Sequence, residues 1–191
     1  MKRFVHTVGT FFALLLAAAA LPGCADRAPE DPTLREIEAI SAMRELSLVE
    51  YRVRKIVKAD DEGPWYKIGD RKILLSCTAY LKAGIDLSGF GAEDVDYDRA
   101  AGTVTVTLPH AKLLSLDMPA SEIREEYDHV TMLRHGFSAE DRNALLRQGE
   151  KQIRDSVPTL GILEKAEENA RHFFESVFSK MGFTSVEVVF E

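Results

Sequence analysis

Residues 72–86 read K-I-L-L-S-C-T-A-Y-L-K-A-G-I-D, and no other part of the chain limits its fold as strongly. Ile73, Leu75, Cys77, Ala79, Leu81, Ala83 and Ile85 fall on one side of a period-two pattern. Lys72, Ser76, Thr78, Lys82 and Asp86 fall on the other. Side chains two residues apart share a face of a strand, so this stretch predicts one long strand, apolar on one face and polar on the other. That alternation is typical of an antiparallel sheet with one face on the core. Gly84 near its end predicts a bend or bulge, because glycine inside a strand marks irregular pairing or close backbone approach. Cys77 lies on the apolar face, where a thiol behaves as a small hydrophobe.

The flanking segments agree with such a sheet. Val49, Tyr51 and Val53 alternate with Glu50, Arg52 and Arg54, which predicts a strand running to about Lys58, followed by a turn cluster at A-D-D-E-G-P. D-V-D-Y-D-R-A-A-G-T-V-T-V-T-L-P predicts a hairpin that sets Val95 and Tyr97 against Val104, Val106 and Leu108, with Gly102 in the turn and Pro109 ending the second strand. Helical spacing appears at Leu34, Ile37 and Ile40, extending to Leu48, with Thr33 as N-cap and Glu36 completing a capping box. Residues 110–137 carry no clear period. Ser138 and Asp141 then open a second helix with Leu145, Leu146, Gly149 and Ile153 on its inner stripe and Pro158 at its end. A third helix carries Leu163, Ala166, Ala170, Phe173, Phe174, Val177 and Met181. Gly182 suits its C′ position, and S-V-E-V-V-F closes the chain as a strand. The resulting fold class is α+β: an antiparallel sheet with long strands, packed on one face by an N-terminal helix and two C-terminal helices, ending in a helix–strand unit.

The beginning of the chain is of a different kind. Lys2 and Arg3 precede an apolar run from Phe11 to Leu21, shorter than the ~20 residues that span a bilayer comfortably, and small residues and Cys24 follow. This order predicts a secretory signal peptide over residues 1–23. Leu21-Pro22-Gly23-Cys24 resembles the lipobox of bacterial lipoproteins, in which the cysteine thiol takes a diacylglycerol and the new amino terminus is often acylated as well. Pro22 departs from the usual small or aliphatic residue. The resemblance implies a lipid anchor at Cys24, with palmitate-type chains. Each buried methylene contributes about 0.8 kcal/mol, so more than one chain holds stably. Residues 24–32 (C-A-D-R-A-P-E-D-P) then serve as lipidated cysteine and tether, and 33–191 as a single domain. Ala25, in place of Asp, resembles an outer-membrane address in Gram-negative sorting.

Charge and motifs bound the function more by exclusion. The chain of 191 residues carries a formal charge of −7, and removal of Lys2 and Arg3 with the signal takes it to −9. Net acidity argues against nucleic acid as a partner and against adsorption of the folded surface on anionic lipid headgroups. With Cys24 committed, Cys77 has no intramolecular partner, so this is not a disulfide scaffold. Asp94, Asp96 and Asp98 begin like a calcium loop, but Arg99 and Thr105 stand where the glycine and bidentate glutamate belong. His129 and His135, beside Asp128, match no zinc spacing; His110 and His172 read as solvent-facing. Acid pairs such as Glu125 and Glu126 are ordinary surface features. No G-x-S-x-G, Gly-rich phosphate loop or H-E-x-x-H occurs, so neither catalytic residue, metal nor cofactor is expected.

Y-L-K-A-G-I-D-L-S-G-F (Tyr80–Phe90) and T-V-T-V-T-L-P-H-A-K-L-L-S (Thr103–Ser115), with the approach E-L-S-L-V-E-Y-R-V-R-K-I-V-K and the ending A-E-E-N-A-R-H-F-F-E-S-V-F-S-K-M-G-F-T-S-V-E-V-V-F, resemble the DUF4230 family of uncharacterised bacterial proteins. The resemblance covers about residues 40–191. It implies a domain anchored to or exported across a membrane, and transfers no catalytic residue. Lys82 and Asp86, flanking Gly84 on the polar face, are the one polar site it leaves open for consideration. The expected protein is therefore a membrane-anchored lipoprotein of the bacterial envelope, facing the periplasm at the outer membrane. Its domain is expected to bind or scaffold an envelope protein or wall component; the alternatives are an envelope enzyme with an unrecognised site, or a module for apolar ligands or lipids.

Overall fold

A computed structural model describes residues 31–62, 70–131 and 135–191. Residues 1–30, which include the expected signal peptide, Cys24 and most of the expected tether, lie outside the described residues. Thr33–Glu191 form one compact unit. Its elements run α1 (Pro32–Ser41), β1 (Glu45–Glu62), β2 (Asp70–Asp86), β3 (Val95–Asp98), β4 (Thr103–Leu108), β5 (Lys112–Asp117), β6 (Ile123–Val130), α2 (Ala139–Ser156), α3 (Ile162–Lys180) and β7 (Ser185–Phe190). Short 3₁₀ turns occupy Ala92–Asp94, Ala120–Glu122 and Val157–Thr159. The architecture is α+β, as the alternation of the sequence requires.

β2 is the middle of the larger sheet. β1 pairs with it antiparallel along its whole length, from Glu45 opposite Asp86 to Glu62 opposite Asp70. β5 and β6 share its other edge end to end, β5 against Tyr80–Gly84 and β6 against Arg71–Cys77. Ile73, Cys77, Ala79, Leu81, Ala83 and Ile85 are all fully buried. α2 and α3 pack on this face. Gly149 of α2 approaches so closely that a Cβ there would lie 2.7 Å from Val57 Cγ2 and 3.5 Å from Cys77 Sγ. Small residues on both surfaces (Ala79 and Ala83 on β2, Ala166 and Ala170 on α3) are buried between sheet and helix. Each larger aliphatic side chain removed from water here contributes about 1.5–3 kcal/mol.

The single sheet expected from the sequence is in fact two. β3, β4 and β7 form a separate sheet, and its β4–β7 pair is parallel, Thr103 opposite Ser185 through Leu108 opposite Phe190. α3 packs on β7 as well as on β1 and β2, and so ties the sheets together. Tyr97, Phe183, Phe178, Phe174 and Phe90 form a chain of ring contacts with successive centroids 5.8–6.4 Å apart. Pairs of this kind add about 0.5–1.5 kcal/mol each beyond their buried area. The C-terminus of α3 shows why the chain can turn back into β7. Gly182 has φ +96°, its N–H donates to Ser179 O, and Phe183 N–H donates to Phe178 O, a Schellman closure completed by the Phe178–Phe183 contact.

Several boundaries differ from the sequence expectation. α1 begins at Pro32, with proline in the first turn where no N–H partner is needed. Thr33 therefore lies inside the helix, fully buried, and its hydroxyl accepts from Arg99 rather than capping. α1 stops at Ser41, and Leu48 belongs to β1. β1 continues to Glu62, through residues read as a turn. β5 and β6 occupy the stretch without visible period. Each contains a bulge against β2, and β6 is exposed at most positions, so neither the alternation nor the hydrophobicity that reveals a strand survives. The hairpin, the Ser138–Asp141 capping box and the register of Val95 with Val106 and Tyr97 with Val104 are as expected.

Candidate functional site

Gly84 organises the end of β2 where the polar site was expected. Register shifts fall beside it on both edges, between Ser47 and Val49 on β1 and between Lys82 and Ala83 against β5. A Cβ at Gly84 would lie 1.9 Å from Leu46 O, so the bulged backbone of β1 occupies the space a side chain would need. The bend divides the two residues singled out around it. Lys82 Nζ lies 3.8 Å from Glu50 Oε2, whereas Asp86 Oδ2 accepts from Lys112 Nζ at 2.5 Å. Lys82 and Asp86 therefore do not form one site.

Asp86 instead borders a cleft of about 470 Å³, with Phe90, Asp94, His110, Lys112 and Glu191 among its lining. The Lys112 ammonium, followed by the Ser88 hydroxyl and then the Ser88 N–H, holds the Asp86 carboxyl far below the usual carboxylate range, so it is an ionised acceptor and no proton donor. His110 Nδ1 lies 2.9 Å from Glu167 Oε1, which also accepts from Ala111 N–H at 3.2 Å; the imidazole stacks on Phe190 at 6.3 Å. A histidine fixed by a carboxylate is a common element of proton-transfer sites. Here, among the described residues, no hydroxyl or thiol is hydrogen-bonded to it. The cleft presents alternating charges suited to holding a polar group, without a positioned nucleophile.

The second feature is the face of the large sheet opposite the helices. No described element covers it. Its central strand offers Ser76 and Thr78, only 5% and 3% exposed, at the floor. Longer neighbours shield them: Arg54 stands opposite Thr78, while Ile56 and Arg124 flank Ser76 from the two sides. Beyond them Lys58, Leu74 and Tyr127 make the next row. Ile56 is 61% exposed and Tyr127 47%, the latter stacked on His129. Arg52 lies over the Tyr80 ring and bonds Glu122 at 3.2 Å, and Lys72 and Lys82 extend the basic character along β2. Arg54, Lys58 and Arg124 form no ion pair among the described residues. By register Glu45, Glu50, Asp60, Glu62, Asp70, Asp86 and Asp117 take positions on this same face, and Glu122 joins it through Arg52. Alternation in β1 placed Arg52 and Arg54 on the polar face, but it could not show Arg124 joining them from a strand 70 residues away.

The remaining candidates have structural places. Cys77 is fully buried with its thiol 3.5 Å from Lys55 O, and burial pushes its pKa up. Asp94 accepts from Gly91 N–H. Asp98 Oδ1 accepts from Ala100 and Ala101 N–H and so builds the hairpin turn; Asp96 faces solvent. Glu125 and Asp128 bind Arg142 of α2 from the helix side of β6. His135 is exposed, and His172 sits on the surface of α3 among Glu168 and Glu175. Among the described residues no three His, Cys, Asp or Glu side chains gather as a metal site, and no helix is long and apolar enough to cross a membrane.

Comparison with curated proteins and with solved structures gives no match. A family model described as "Protein of unknown function (DUF4230)" matches residues 38–188, which contain β1 to β6, α2, α3 and the first four residues of β7. The chain belongs to the DUF4230 family.

Proposed function

We propose that this protein is a lipid-anchored component of the bacterial cell envelope, acylated at Cys24 and facing the periplasm at the outer membrane, whose α+β domain is a binding or scaffolding module. The observation that carries the module reading is the face of β1, β2 and β6 that no described element covers, where Ile56 and Tyr127 stand exposed beside Arg54, Lys58 and Arg124. Exposed apolar side chains rimmed by polar ones mark interaction surfaces. The lipobox-like Leu21–Cys24 and the spacer after it support the anchoring half. The cleft at His110 supports binding better than catalysis, since Asp86 is committed to Lys112 and His110 to Glu167.

Two measurements test this reading. Cys24→Ser is expected to release the protein from the membrane fraction and to abolish an acyl mass on the mature amino terminus; unchanged sedimentation with no acyl mass in the wild type would sink the anchoring claim. A photo-crosslinking residue in place of Ile56 is expected to capture a component of intact envelopes that one in place of Lys151, on exposed α2, does not. Equal capture by both overturns the assignment of the face.

A further inference from the structure

The cleft at His110 opens where the two sheets meet. β4 and β7 run parallel and both end at it, and Leu108 and Glu191 contribute to its lining together with Asp86 and Phe90 from the end of β2. Crevices outside the carboxyl ends of parallel strands are favoured ligand positions, and about 470 Å³ falls within the roughly 300–1,000 Å³ of small-molecule sites. Its polar groups are unevenly committed. Asp86 and Lys112 hold one another at 2.5 Å. Glu167 lies 2.9 Å from His110 Nδ1; a carboxylate only accepts, so Nδ1 carries the proton and Nε2 of the neutral ring keeps a lone pair. Asp94 Oδ2 accepts from the Gly91 N–H at 2.9 Å, and Oδ1 is left over. Glu191 donates its backbone N–H to Leu108 O, but its carboxylate forms no ion pair among the described residues. Three carboxylates and one ammonium in the lining leave a surplus of negative charge and of acceptors.

We infer that this cleft binds a small polar molecule bearing a primary ammonium group, whose N–H donors meet Asp94, Glu191 and His110 Nε2. An ammonium supplies three donors and a positive charge where the lining has acceptors without donors, and charge-assisted hydrogen bonds of this kind are the strong ones. Among the described residues no three His, Cys, Asp or Glu side chains gather as a metal site, so a cation held here must reach between acceptors, as an organic molecule does and a metal ion does not. Phe90 is the aromatic ring in the lining and is 7% exposed, so there is no aromatic cage of the kind that holds a quaternary ammonium; the acceptors favour a primary amine. Phe90 and Pro109 offer apolar contact to a compact carbon skeleton. Lys112 gives one N–H to Asp86 and has others for a ligand oxygen, and the Thr107 hydroxyl can serve the same purpose. The site is separate from the uncovered sheet face around Ile56 and goes beyond the reading above.

The test uses residues 24–191 carrying Cys24→Ser, which keep the whole compact unit, titrated with glucosamine, ethanolamine and N-acetylglucosamine and followed by calorimetry and amide resonances. Glucosamine and its acetylated form share a ring and hydroxyls and differ in the ammonium. Glucosamine or ethanolamine should saturate the resonances of His110, Lys112 and Glu191, and N-acetylglucosamine should bind roughly tenfold more weakly than glucosamine. Glu191→Gln and Asp94→Asn should each weaken the amine by roughly fivefold. Asparagine at 94 still accepts from the Gly91 N–H, and the Glu191 carboxylate supports no contact within the fold, so both variants should keep the parent circular dichroism. Glu126→Gln, an exposed acid of β6, should leave binding unchanged. No saturable binding of either amine, equal binding of glucosamine and N-acetylglucosamine, or the same weakening from Glu126→Gln overturns the inference. So does saturation of these resonances by calcium chloride with none by the amines, which assigns the cleft to a metal ion instead. Neither Cys24 nor Ile56 lines the cleft, so failure here leaves the anchoring and crosslinking measurements standing, and the reverse holds as well.

Discussion

Replacing Gly84 by alanine tests whether the bulge, and with it the geometry of the sheet end, is set by this one missing side chain. The added methyl would lie 1.9 Å from Leu46 O, 2.9 Å from Leu46 C and 3.0 Å from Leu114 Cδ1. The first two are backbone atoms of β1, which no side-chain rotation can move away. An acceptable contact requires the carbonyl to retreat by about 1 Å or more, and the bulge between Ser47 and Val49 is held on β2 at that point. Overpacking of this kind contributes about 1–3 kcal/mol of destabilisation, and one or two ladder hydrogen bonds add about 1 kcal/mol each. Against this, alanine restricts the unfolded chain and recovers about 0.5–1 kcal/mol. The balance is a loss of about 2–4 kcal/mol, which lowers Tm by roughly 10 °C for a domain of this size. Urea unfolding followed by circular dichroism should show a lower midpoint at unchanged slope. Gly89→Ala, with nothing within 4 Å of its added methyl, provides the matched control and should stay within about 0.5 kcal/mol of the parent. A Gly84→Ala protein as stable as that control would refute the reasoning.

Three further outcomes are expected. Gly149→Ala gains about 1 kcal/mol of helix propensity but drives a methyl to 2.7 Å from Val57 Cγ2; denaturation should show a net loss of about 1 kcal/mol, whereas a net gain would mean that α2 can lift from the sheet without penalty. Asp86, Asp141 and Glu168 have folded pKa values lowered by Lys112, by Ser138 and by Lys165 respectively. Their stabilisation is therefore complete above the unfolded carboxylate range and lost as pH falls through it toward the folded values. Asp86→Asn with Asp141→Asn should flatten the decline in urea midpoint below about pH 4, and an unaltered slope would contradict the assignment. Cys77 should resist a disulfide reagent in the native protein and react on unfolding, and Cys77→Ser should cost about 1–3 kcal/mol; prompt labelling of the native thiol would show that this part of the core opens readily.

Legibility in the sequence followed local pattern. The alternation of Ile73 through Ile85 identified β2 and its buried face, because side chains in a strand take opposite sides regardless of what they pack against. Gly84 as a bend, the Ser138 capping box, the Gly102 turn and the Gly182 helix end were equally visible, each being chemistry within a few residues. β5 and β6 were not, since a bulge in each breaks the period and β6 buries little. Their existence depends on the long edge of β2 that needs partners. The separate partners of Lys82 and Asp86 went unseen for a related reason. Sequence proximity said nothing of Glu50 across one strand pair or Lys112 across another, and those nearer charges claimed them.

From its sequence alone this chain determines an α+β domain, the strand faces, the start of α2, the end of α3 and its family, because all of these are written in local spacing or short motifs. Tertiary structure alone decides that β7 joins β4 in parallel, that the strands divide into two sheets, and that cations from β1, β2 and β6 gather on one face. Net charge is a sum over residues and carries no positions. Only strand pairing brings Arg54 and Arg124, 70 residues apart in the chain, to the two sides of β2 on one face.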